Sequence, residues 1–167
     1  ARNEALSAER IFAATHAAEP KDSLTLHWLA KSQILLGELA WRRGENAEAT
    51  TWLSHANAEL APARATQQNK DAFRLLPPEA QLFVGDVAAQ RGDEAAAHAA
   101  WSVAEQQLRE GSKPPTFDHL DLLVRVLLAQ HRDAVASPYL ARLKASGYVP
   151  LYPWQDGPGS QTMAESR

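Results

Sequence analysis

Six histidines are the first residues to test for chemistry: His16, His27, His55, His98, His119 and His131. Imidazole ligates metals and moves protons near neutral pH. A helical metal pair needs two of them four residues apart, as in HExxH, and no such pair occurs. The densest titratable cluster is Asp118, His119 and Asp121. Acids are favoured at a helix N-terminus by the dipole, which accounts for that cluster without a metal or a catalytic role. Phosphate cradles of the GxGxxG or GxxxxGK[ST] kind are missing, and Gly111-Ser112-Lys113 lacks the earlier glycine. There is no GxSxG elbow for a serine nucleophile. With no cysteine, thiolate chemistry, thiolate metal sites and disulfides are excluded. The expectation is a chain that is not an enzyme and carries no metal or cofactor; a small-ligand-binding helical domain is the weaker alternative.

Bulk properties narrow the partners. The 167 residues are 45% hydrophobic and 22% charged, which suits one globular domain with a continuous core. The net charge of −3 offers no basic excess for a phosphate backbone, so nucleic acid is not expected as a partner. The longest apolar runs, such as 122–129, contain an arginine and are too short to span a bilayer. The opening Ala1-Arg2-Asn3-Glu4 is not a secretory signal. Cytoplasm and periplasm both remain open.

The elements that must position any site are helices. Ala, Leu, Glu, Gln and Arg are strong helix formers, and no alternating strand pattern bounded by hairpin turns is seen. Periodicity predicts helices over 3–18, 24–43, 46–66, 78–91, 93–110, 117–130 and 133–146. Ser23 and Thr116 are expected N-caps, and Pro78 suits a first turn. A long connection is expected over 67–77, and a loop over Gly111–Pro115.

Self-comparison reveals a repeat. LLGELAWRRGENAEATTWLSHA (Leu35 to Ala56) aligns without gaps on FVGDVAAQRGDEAAAHAAWSVA (Phe83 to Ala104). Gly37 and Gly85 belong where a second helix crosses the first and its backbone needs room. Gly44 and Gly92 accept the left-handed geometry that ends a helix. Ala49 and Ala97 are small at the contact, and Leu53 and Trp101 fill the space between neighbours. A degraded third copy keeps Leu123, Leu127, Ala136, Leu140 and Leu143, with Val124 at the crossing position and His131 at the turn. A partial copy precedes them at Ala8, Phe12 and Pro20.

These residues resemble the tetratricopeptide repeat over roughly residues 3–147: Leu36, Gly37, Gly44, Ala49, Leu53 and Ala56, then Val84, Gly85, Gly92, Ala97, Trp101 and Ala104. The resemblance implies an all-α, right-handed solenoid of antiparallel helix hairpins, about three repeats plus a partial one. Spacings of 41, 48 and 39 residues between Phe12, Leu53, Trp101 and Leu140 exceed the usual repeat of about 34. Longer units resemble the repeats attached to bacterial serine/threonine kinases and regulators. The chain starts inside a hairpin, so it is expected to be the C-terminal piece of a longer protein, or else its first helix caps the stack.

By register with that family, the inner groove is lined by Lys31, Ile34, Glu38, Trp41 and Arg42. Glu79, Leu82, Asp86, Ala89 and Gln90 follow, then Asp118, Asp121, Arg125 and Leu128. The resemblance implies a protein or peptide partner, with Trp41 as aromatic anchor and an acidic bias suited to an extended, somewhat basic peptide. A solvated helix face without a ligand is the alternative. The carboxylate clamp of some family members, built from Lys and Asn, is replaced here by Ile34, Glu38, Leu82 and Asp86.

The repeat domain is expected over 1–154, and 155–167 as a disordered polar tail. Within it, Tyr148-Val149-Pro150-Leu151-Tyr152-Pro153-Trp154 is not helical, because two prolines interrupt it. It either folds back to cap the last repeat or docks on another chain. The functional expectation is therefore a scaffold or sensor module of a larger signalling or regulatory protein. The alternative is an oligomerisation unit that uses 148–154 to form a homodimer.

Overall fold

The computed structural model describes residues 2–67, 71–110 and 114–154. Among them the chain is all-α, with no strand. The helices are α1 (Arg2–Ala18), α2 (Ser23–Arg42), α3 (Asn46–Gln67), α4 (Asp71–Arg74), α5 (Leu76–Gln90), α6 (Glu94–Arg109), α7 (Phe117–Ala129) and α8 (Asp133–Ala145). Their ends follow local chemistry. Thr116 caps α7, its side chain accepting from the His119 amide at 3.2 Å. Asp22, not Ser23, caps α2: it accepts from the amides of Leu24 at 3.0 Å and Thr25 at 3.3 Å, and from the Thr25 hydroxyl. A carboxylate offers two acceptor oxygens where serine offers one, so the cap sits one residue earlier than expected. α5 likewise begins two residues before Pro78, with prolines in its first turn.

Two details explain the long repeat spacing. α3 runs for 22 residues, and the expected connection 67–77 contains the short helix α4. Phe73 from α4 is buried in the core beside Leu60 and Leu76, so the insertion is folded into the packing. Gly111, Ser112 and Lys113 of the expected loop, and the polar stretch 155–167, lie outside the described residues.

Consecutive helices pack as α1 on α2, α2 on α3, α5 on α6 and α7 on α8; α5 also contacts α2, α3 and α7. The crossing positions behave as their residue types require. A Cβ on Gly37 would stand 2.7 Å from Cγ of Leu53, and one on Gly85 would collide with the Trp101 indole. Each glycine thus admits the large side chain one helix away, which is then shielded: Leu53 is 1% exposed and Trp101 4%. The turns close in one manner. The Gly44 amide donates to Trp41 and that of Glu45 to Ala40; Gly92 and Asp93 repeat this with Ala89 and Ala88. Both glycines have positive φ, +75° and +77°. His131 takes the same left-handed turn at φ 57°, its amide donating to Leu128 and that of Arg132 to Leu127. The third hairpin therefore keeps the turn without the glycine.

Candidate functional site

α2, α5 and α7 are neighbours, and one shared face of these three helices gathers most of the polar residues expected to line a groove. The segment after α8 lies across that face. It starts from a left-handed turn at Gly147 (φ +75°), where the Tyr148 amide donates to the Leu143 carbonyl at 3.2 Å. From there Tyr148, Pro150, Tyr152 and Trp154 are half-buried, while Val149, Leu151 and Pro153 are exposed. That alternation sets one side of the segment against the surface and the other toward solvent. The prolines at 150 and 153 prevent a helix, and the backbone bends at Leu151 and Tyr152 between them.

Hydrogen bonds hold the segment to α7. The Tyr148 hydroxyl donates to Asp118 Oδ1 at 3.1 Å, and Trp154 Nε1 donates to Asp121 Oδ1 at 2.6 Å. Arg125 donates one guanidinium nitrogen to the Tyr152 carbonyl at 2.6 Å and another to Asp121 Oδ2 at 2.9 Å. On the far side the Arg42 guanidinium of α2 lies 4.2 Å from the centre of the Tyr152 ring, a cation–π distance. Tyr148 packs against Phe117, with ring centres 6.2 Å apart. Burial, with Asp121 and Asp118 nearby, pushes its phenol up to about 12, so the hydroxyl keeps the proton it donates.

Asp86 of α5 lies between the two arginines. It accepts from Trp101 Nε1 at 3.0 Å. The residue keeps partial exposure, but the surrounding helices desolvate its carboxyl. Burial pushes it up to about 7, with Glu38 adding to the rise and Trp101, Arg42 and Arg125 opposing it. Glu38 is 5% exposed and is held by Arg42, whose Nε and a terminal nitrogen reach Oε1 at 2.9 and 2.8 Å. Glu38, Asp86 and Arg125 occupy equivalent positions, each one residue after Gly37, Gly85 or Val124. The face thus sets four carboxyls, of Glu38, Asp86, Asp118 and Asp121, against two guanidiniums.

The remaining expected lining residues fall elsewhere. Ile34 is 1% exposed and Leu82 5%; both are core residues with almost no surface to offer, because α5 covers this stretch of α2 and α7 packs on α5. Lys31 reaches across to α5 and is paired with both carboxylate oxygens of Glu79, at 2.7 and 2.8 Å. Trp41 is half-buried and packs on Phe83, with ring centres 5.9 Å apart. It braces α2 against α5; the aromatic groups on the outer side of the face are those of Tyr152 and Trp154. Their role was not assigned from sequence, although the alternation of residues 148–154 carried the signal.

Other candidates resolve into structure. His119 is 5% exposed; its Nδ1 lies 2.8 Å from an Arg74 nitrogen, and burial, with Arg74, lowers its pKa. Its imidazole links α4 to α7 as an acceptor. No group of three His, Cys, Asp or Glu among the described residues is placed to hold a metal ion. Among the same residues no helix is long and apolar enough to cross a membrane. Trp28 stacks on Phe12 and is 46% exposed. No family model, curated protein or solved structure matches the chain.

Proposed function

We propose that the chain is a protein- or peptide-binding repeat module of the tetratricopeptide type. It acts as the scaffold or sensor part of a larger signalling or regulatory protein and performs no catalysis itself. In this reading the hairpins α2–α3, α5–α6 and α7–α8 form a right-handed solenoid with α1 as a partial repeat, and α2, α5 and α7 line its inner groove. One observation carries the proposal: a non-helical heptapeptide segment already lies on that face, with alternate side chains inward and its backbone and aromatic heads hydrogen-bonded. A surface that accommodates one non-helical peptide segment has the shape and the polar groups to accommodate another.

The test is selection of a random peptide library on the full chain, followed by amide-shift mapping of the selected peptides. Shifts centred on Arg42, Asp86 and Arg125 are expected. Shifts confined to α3, α6 and α8 would remove the site assignment.

A homodimer is the second reading, favoured by the outward side of the segment. Val149 and Leu151 are 85% and 84% exposed and sit two residues apart. Light scattering on Val149→Ser/Leu151→Ser decides it: loss of a dimer supports this reading, and an unchanged mass rejects it.

A further inference from the structure

Resting on the peptide-binding reading, we propose that residues 148–154 are an internal ligand that a partner displaces, and that the partner is an extended peptide bearing tryptophan or tyrosine at alternate positions. The groups that hold the segment define the partner's chemistry. Asp118 and Asp121 lie three residues apart, on one side of α7, and accept from a phenol and an indole. Arg125 reads a backbone carbonyl, which any peptide has. Arg42 covers one face of an aromatic ring. None of these contacts needs a charge on the ligand, and the part-buried Asp121 oxygen that accepts from the indole favours tryptophan over phenylalanine, which offers it no donor.

The same geometry makes the segment exchangeable. Its contacts come from α7 and from Arg42 of α2, and Val149 and Leu151 face solvent. Among the described residues no helix covers it, so a competing peptide can replace its contacts one at a time. Because it is tethered at Gly147, its effective concentration on the face is high, and a free peptide sees an affinity lowered by the fraction of chains whose face is open.

The probe is a fluorescein-labelled peptide, Tyr-Val-Pro-Leu-Tyr-Pro-Trp, titrated by anisotropy into the full chain. Weakening the internal copy with Tyr152→Ala/Trp154→Ala is expected to tighten peptide binding at least about tenfold. Adding Asp121→Asn to that variant is expected to reverse the gain. Equal affinity for the unaltered chain and the variant, with binding still lost on Asp121→Asn, overturns the internal-ligand proposal and leaves the peptide groove standing. No binding to either protein overturns both. A second readout needs no destabilising change. In the 5-fluorotryptophan-labelled chain, the Trp154 resonance moves to a solvent-exposed position when the unlabelled peptide saturates; a resonance that stays in place at saturation overturns the proposal.

Discussion

The hairpins α2–α3 and α5–α6 solve two problems that α7–α8 solves differently. At the helix crossing, the first two carry glycine and send a large side chain, Leu53 or Trp101, into the gap. The third carries Val124, which is fully buried, and Leu140 opposite is only partly buried. On the shared polar face, the α2 and α5 residues find partners among helices: Glu38 with Arg42 and Asp86 with Trp101. On α7, Asp121 and Arg125 also pair with each other, and both, with Asp118, take a further partner from the segment after α8. Close packing of the crossing supplies an indole that satisfies Asp86. The third hairpin, without the crossing glycine, supplies no such indole, and Trp154 of the segment after α8 donates to Asp121 instead.

Four changes would break or sharpen this contrast. The largest effect is expected from Gly85→Val, which gives the second hairpin the residue that the third carries at that register. The Trp101 indole would be displaced, with a stability loss of about 3 kcal/mol in denaturant unfolding. A loss below about 1 kcal/mol would mean that glycine does not set the crossing distance. Next is Asp86→Asn. The carboxyl rises from an ordinary 3.8 to about 7 on folding, so the folded chain holds a proton that the unfolded chain releases. Its contribution is complete at low pH, falls as pH climbs from about 4 through about 7, and is flat above. The asparagine variant is expected to remove on the order of 1–3 kcal/mol of that decline, measured as unfolding free energy at pH 4.5 and pH 8.

Smaller effects test the third hairpin. Trp154→Ala removes one indole hydrogen bond and part of the packing on α7, for a loss of about 1 kcal/mol. Hydrogen exchange should quicken at the Tyr148 amide, which donates to Leu143, while the α2–α3 amides keep their protection; equal loosening of α3 would show that the segment is integral to the core. His131→Gly gives the third turn the glycine that the first two have at Gly44 and Gly92. Relief of the left-handed backbone should stabilise the chain by about 0.5–1 kcal/mol, visible as a higher unfolding midpoint. No gain would show that the His131 side chain supports the turn.

Much of the architecture was legible in residue order. Helix ends fell within two residues of expectation, except for α4, whose four residues are too few for a period to show. Small residues at Gly37 and Gly85 announced the crossings because only their size permits the approach of Leu53 and Trp101. Register along each helix also brought Glu38, Asp86 and Arg125 to one face, since helical geometry repeats whether or not the neighbours are known. The occupancy of that face required three dimensions. Ile34 and Leu82 look the same in sequence whether they line a groove or fill a core; the placement of α5 against α2 and of α7 against α5 buried them. Tyr152 meets Arg125 across 27 residues and Arg42 across the whole helix layer, and no local pattern encodes a contact of that kind. Spacing along the chain expresses what each helix must present, whereas pairing between distant helices follows from how they pack.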